Sequence, residues 1–158
     1  MNNNDILRRL RYALDISNPL MIQIFGISGC KMEQSTLIKL LKKEEEEDFI
    51  SCSNPLLSFF LDGLIVNRRG RRESAETEPP KPDNSLNNNA ILKKLRIALD
   101  LKESDMLAVM ELAGVKISKS ELSALFRNKG HKHYKECGDQ FLRNFLQGLT
   151  IRNRGAAA

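Results

Sequence analysis

Tryptophan is absent from this 158-residue chain, aromatic residues make up only 6% of it, and no apolar run is long. With so few rings, a folded interior must be built from aliphatic side chains. A membrane-spanning helix needs about 18 or more consecutive apolar residues. Nothing here approaches that, so no membrane attachment is expected. The opening MNNNDILRRLRYALD has neither an uninterrupted apolar stretch nor a small-residue cleavage site, so it does not read as a secretory signal. Cysteine is scarce too. Cys30, Cys52 and Cys137 form an odd, sparse set, unlike the disulfide framework of a small secreted domain. These absences together lead to an expectation of cytoplasmic residence. No segment alternates apolar and polar residues with period two, so no β-sheet is expected.

What remains is ordinary in amount, with 41% hydrophobic and 28% charged residues. Its arrangement is not ordinary. The net charge of +5 is unevenly spread. Residues 1–72 hold 11 Lys/Arg against 9 Asp/Glu, residues 73–86 hold 1 against 4, and residues 87–158 hold 13 against 7. A basic balance of this kind permits phosphate contact without requiring it.

Shifting the sequence by 85 positions aligns it with itself, without a gap, from Asn2/Asn87 to Gly70/Gly155. NNNDILRRLRYALDI falls on NNNAILKKLRIALDL, and SCSNPLLSFFLDGLIVNRRG falls on ECGDQFLRNFLQGLTIRNRG. Identical pairs include Leu10/Leu95, Arg11/Arg96, Asp15/Asp100, Gly29/Gly114, Cys52/Cys137, Phe60/Phe145, Gly63/Gly148 and Leu64/Leu149. Self-similarity at a fixed interval is the signature of a duplicated structural unit. The chain therefore divides into repeat 1 (1–70), an acidic, proline-containing linker (71–86) and repeat 2 (87–155).

Each repeat reads as four helices. The first opens at the asparagine cluster, because Asn accepts a bond from the free amides of a helix start. Ile6, Leu7, Leu10, Ala13 and Leu14 then recur at one-face spacing, as do Ile91, Leu92, Leu95, Ala98 and Leu99. The second begins at Asn18-Pro19 or Ser104-Asp105, and ends before Gly29 or Gly114. The third begins near Glu33 or Ser118, where Ser118 and Glu121 form a capping-box pair. It carries Leu37, Leu40 and Leu41, or Leu122, Leu125 and Phe126. Only a short turn is expected across the EEEED and NKGHKHYKE connections. The last helix starts at Asn54-Pro55 or Asp139 and stops at Gly70 or Gly155. Its stripe is Leu57, Phe60, Leu61 and Leu64, or Leu142, Phe145, Leu146 and Leu149. The predicted fold class is all-α, a tandem duplication of a small four-helix unit. The linker, rich in proline and charge, cannot bury enough apolar area to offset its ordering entropy and is expected to be extended and flexible.

The NNxxLxxLRxAL opening and the ECGDQFLRNFLQGL segment (136–149) resemble the YehS-type family of uncharacterised bacterial proteins, defined by a duplicated domain of unknown function (DUF1456). The resemblance covers nearly the whole chain. It implies a small bacterial cytosolic protein, and it implies no activity, substrate, cofactor or catalytic residue.

Candidate sites must stand on the residues themselves. His131-x-His133-x3-Cys137, with Asp139 near, offers imidazole and thiolate, the usual zinc donors. Repeat 1 puts Glu46, Asp48 and Cys52 at the matching places, and no CxxC pair exists, so a small buried hydrophobe is the simpler reading of each cysteine. A Cys137–His133 nucleophile has one attraction, since the start of the last helix can lower a thiol pKa. Nothing identifies an oxyanion site, and no enzyme is expected.

Basic clusters are a better signal. Arg8, Arg9 and Arg11, together with Lys93, Lys94 and Arg96, lie off the apolar stripe of the first helix of each repeat. Arg68, Arg69, Arg71 and Arg72 follow the last helix of repeat 1, and Arg152 and Arg154 end repeat 2. Such cations can track phosphates, although each has a local explanation in an i,i+4 pair or a helix dipole. Two features favour an association surface instead. Tyr12 and Ile97 fall opposite the apolar stripe of their helix. Gly63 and Gly148 interrupt the last helix at a cost of about 1 kcal/mol relative to Ala, which points to close approach by a neighbour from the same copy, the other copy or a second chain.

Three readings follow, in order. The first is a non-enzymatic interaction module that engages a protein or peptide partner, with Tyr12 and Ile97 at the contact. The second is nucleic-acid binding by Lys93, Lys94, Arg96, Arg152 and Arg154. The third is a metal or thiol site at His131, His133 and Cys137.

Overall fold

A computed structural model describes residues 1–70 and 85–155. Residues 71–84, most of the expected linker, and the terminal alanines 156–158 lie outside them. Among the described residues the chain forms eight α-helices and no strand. It divides into two compact units, Met1–Leu86 and Asn87–Ala158. The first unit holds α1 (Asn3–Ala13), α2 (Asn18–Ile27), α3 (Gln34–Leu40) and α4 (Asn54–Arg69). The second holds α5 (Asn88–Ala98), α6 (Glu103–Leu112), α7 (Lys119–Leu125) and α8 (Asp139–Arg154).

Local chemistry accounts for these boundaries. Asn2 and Asn87 cap α1 and α5, accepting from the amides of Asp5 and Ala90 at 2.8 Å. Ser17 and Ser53 cap α2 and α4, each with a proline in the first turn, where the missing amide costs nothing. Ser118 and Glu121 close the expected capping box on α7. Helices α1 and α5 end alike. The amide of Ile16 reaches Arg11 O and that of Leu101 reaches Arg96 O, both at 3.0 Å, around Asp15 and Asp100 in the left-handed region. That is the Schellman pattern, with aspartate where glycine is usual. The connections after α3 and α7 contain turns and no helix.

Each unit closes around its own aliphatic interior. In the first, Leu7, Leu10, Met21, Ile24, Phe25, Leu37, Leu57, Phe60 and Leu64 are buried. Phe25 and Phe60 meet with ring centroids 5.3 Å apart. In the second, Leu92, Leu95, Met106, Val109, Met110, Leu122, Leu142, Phe145 and Leu149 are buried, with Met110 at the place of Phe25. Leu86 departs from the linker assignment. It is only 8% exposed, and it stands just ahead of the Asn87 cap, where an apolar side chain can pack back on the first helical turn.

The principal packing is α2 on α4 and α6 on α8. In the first unit Ile24 meets Gly63, while the Ser28 hydroxyl donates to Phe59 O at 2.5 Å. As α2 advances α4 recedes, so the pair is antiparallel. A Cβ on Gly63 would stand 1.9 Å from Ile24 O, and one on Gly148 would stand 2.1 Å from Val109 O. The close neighbour of each glycine is therefore the second helix of its own unit.

Candidate functional site

The asparagine cluster does more than cap a helix. Behind the capping Asn2, Asn3 donates to Cys52 O at 3.1 Å and to Asn54 Oδ1 at 2.8 Å. Asn4 is 1% exposed. It donates to Leu40 O and Ile50 O, both at 2.8 Å, and accepts from the Cys52 amide at 2.9 Å. The second unit repeats the arrangement. Asn88 serves Cys137 O and Asp139 Oδ1, and Asn89 serves Leu125 O, Lys135 O and the Cys137 amide. Three consecutive amides thus tie the first helix to the end of the third and the start of the fourth. This is a structural clasp, built around the cysteine backbone.

The clasp decides the chemistry of the thiols. Burial pushes the Cys52 thiol up to about 12, with a smaller contribution from Cys30. It pushes Cys137 up to about 11, helped by the negative charge of Asp139. The helix-start effect expected to lower the pKa of Cys137 is overridden, because removal from water penalises the thiolate more than the helix dipole favours it. His133 is occupied locally, its amide donating to Nδ1 of His131 at 3.0 Å. Among the described residues no three His, Cys, Asp or Glu side chains come together as a metal site, so His131, His133 and Cys137 are not assembled into one.

A pH experiment tests this. Both thiols have an ordinary value of 9.0, and the folded values lie higher. Folding stability is therefore expected to hold below about pH 9 and to decline as pH rises toward 11–12, where the unfolded chain has already released these protons. Urea unfolding of Cys52→Ala/Cys137→Ala should show a lower baseline and a shallower alkaline decline than the parent. Parallel pH profiles for parent and variant would refute the assignment.

The outward-facing candidates are where the spacing put them. Tyr12 is 39% exposed and Ile97 is 38% exposed, at equivalent places on α1 and α5. The cations are less uniform. Lys93, Arg152 and Arg154 are exposed and Lys94 is half-buried. Arg96 is engaged internally, its guanidinium 4.7 Å above the Phe126 ring and its Nε donating to Leu101 O at 3.0 Å. In the first unit Arg8 pairs with Asp5 and donates to Lys42 O, and Arg11 donates to Asn18 Oδ1. The first-helix arginines thus serve their own fold in large part.

Sequence reasoning missed a groove in the second unit. It encloses about 430 Å3 and is lined by Asp105, Ala108, Val109, Glu111, Leu112 and Arg152. The spacing 105, 108, 109, 112 is a helical stripe. It was read only as core, because Val109 is buried while Leu112, three residues on, is 46% exposed.

An all-helical unit, present twice and clasped by an asparagine triplet, is the class that fold and site define. The chain belongs to the family described as protein of unknown function (DUF1456), whose model matches residues 3–70 and again 88–155. It is similar to the uncharacterized protein YehS of Escherichia coli (strain K12), with 43% identity over 152 residues, covering 96% of each chain. No solved structure matches. No helix of the described residues is long and apolar enough to cross a membrane.

Proposed function

We propose that this protein is a cytoplasmic, non-enzymatic module that binds a protein or peptide partner. The observation that carries the reading is the outward placement of Tyr12 and Ile97, one in each unit at the same position, while each unit completes its core without them. Large apolar side chains held on rigid helices supply contact area at little entropic cost. Buried thiols with raised pKa values and histidines occupied locally leave no activated nucleophile among the candidates considered.

The test is affinity purification of the native protein beside Tyr12→Ser/Ile97→Ser. The parent is expected to retain a protein partner in stoichiometric amount. The variant should lose at least about nine-tenths of it, since each truncated contact is worth on the order of 1 kcal/mol or more. Thermal unfolding should be unchanged. Equal recovery by parent and variant would refute the reading.

The exposure of Lys93 and Arg152 favours a second reading, nucleic-acid binding by the basic surface of repeat 2. Arg96 contributes less to it than its place in the sequence suggests. It requires salt-sensitive retention on DNA or RNA, reduced in Lys93→Ala/Arg152→Ala.

A further inference from the structure

We infer that the groove between α6 and α8 is a partner site of the second unit, and that it takes an amphipathic helix with cations along one edge of its apolar face and a carboxylate along the other. The inference rests on the interaction-module reading and names a site and a partner class for it.

The groove is built from one stripe of α6 and the last turn of α8. Val109 forms its floor, fully buried where its backbone meets Gly148. Ala108 and Leu112 rise beside it. An isolated exposed leucine is unremarkable in a folded protein. Leu112 is different because it stands at the lip of a concave apolar surface, and that combination marks binding sites.

Charge selects the occupant. Asp105 and Glu111 stand on the α6 side, six residues apart, or about 9 Å of helix rise. Arg152 stands on the α8 side. Asp105 uses Oδ2 to accept from the Lys102 amide at 2.9 Å, whereas Glu111 and Arg152 are exposed. Among the described residues Arg152 forms no ion pair with either carboxylate. One wall is thus acidic and the other basic, with an apolar floor between. A helix laid along the floor presents its own stripe at intervals of three and four residues, so i and i+7 lie about 10.5 Å apart. Lysines or arginines on its first edge then meet Asp105 and Glu111, and a carboxylate on its second edge meets Arg152. Reversing the helix end for end would exchange its edges, so the polarity also sets direction.

The first unit serves as an internal comparison. Its corresponding residues are Leu20, Gln23, Ile24, Gly26, Ile27 and Asn67, none of them ionisable. The scaffold beneath is shared, because Ile24 meets Gly63 as Val109 meets Gly148. The helix pairing thus belongs to the repeated unit, while the charged rim belongs to the second copy alone. The fold does not require those charges.

The experiment uses the full chain and two fluorescein-labelled 14-residue peptides. Both carry leucines at helical spacing. One has a lysine edge and a glutamate edge, and the other has glutamate on both. Anisotropy is expected to show the first binding about tenfold tighter, because placing like charges together across an interface is costly. Leu112→Ser should weaken that complex about tenfold by removing buried apolar area. Glu111→Lys should shift the preference toward the all-glutamate peptide. Both residues are exposed, and circular dichroism melting should match the parent.

Equal affinity for the two peptides, no binding of either, or indifference to both substitutions would overturn the inference. If the peptides fail while the native partner still depends on Tyr12 and Ile97, the groove assignment falls and the interaction reading stands. If the peptides bind as expected while Tyr12→Ser/Ile97→Ser retains every partner, the contact at those two residues falls and the groove stands.

Discussion

Asn4→Ala is expected to destabilise the first unit by about 3–5 kcal/mol, the largest effect of any single truncation in the clasp. The substitution leaves two carbonyls, Leu40 O and Ile50 O, and one amide, Cys52 N, without their partner. Each such group loses a hydrogen bond, and buried ones also carry a desolvation cost of about 1–3 kcal/mol. The magnitude follows from burial. Asn89 makes the same three bonds in the second unit, but it is only partly buried. Water can reach some of the groups it would abandon, so Asn89→Ala should cost roughly 2–3 kcal/mol. Urea unfolding of the two variants, followed by circular dichroism, measures both. A loss below about 1 kcal/mol for Asn4→Ala, or a larger loss for Asn89→Ala, would show that the clasp does not act as described.

Gly63→Ala and Gly148→Ala carry the second large effect, and here the sign alone is informative. On an isolated helix, alanine in place of glycine stabilises by about 1 kcal/mol. In this fold the added methyl would lie 1.9 Å from Ile24 O or 2.1 Å from Val109 O, and in each case the obstacle is backbone, which cannot rotate aside. The helices must separate along the seam that carries most of each unit's packing. Overpacking of this kind costs about 1–3 kcal/mol, and the upper end is expected here because no side chain can yield. Thermal melts should therefore fall for both variants. A rise in either melting temperature would mean that the α2–α4 or α6–α8 approach is looser than the structure shows.

Much of this was legible in the residues. The duplication came from a constant interval, and the eight helices came from the 3.6-residue stripes and their caps. Those stripes proved to be core: Leu57, Phe60, Leu61 and Leu64 are all buried, as are their counterparts. The two glycines were legible as sites of close approach. Which neighbour approached was not, because a missing side chain records that space is needed without recording who fills it. The asparagine cluster was read as a cap, which is right for Asn2 and Asn87. Its second and third members bond to groups 36 to 51 residues away, and no local pattern announces such partners. Cys137 shows the same limit from the other side. Its place before a helix argued for a lowered pKa, and its burial reversed the direction.

The sequence by itself determined that there are two equivalent helical units, where their helices begin and end, and which faces turn inward. These follow from short-range physics, since helical spacing, capping and turn geometry act within a few residues. The three-dimensional structure alone decided the Asn4 and Asn89 clasps, the chemical quietness of Cys52 and Cys137, the internal duties of Arg96, and the groove edged by Asp105, Glu111 and Arg152. Each depends on which distant groups share a neighbourhood and how much water remains there, and desolvation is set by the packed chain rather than by any stretch of it.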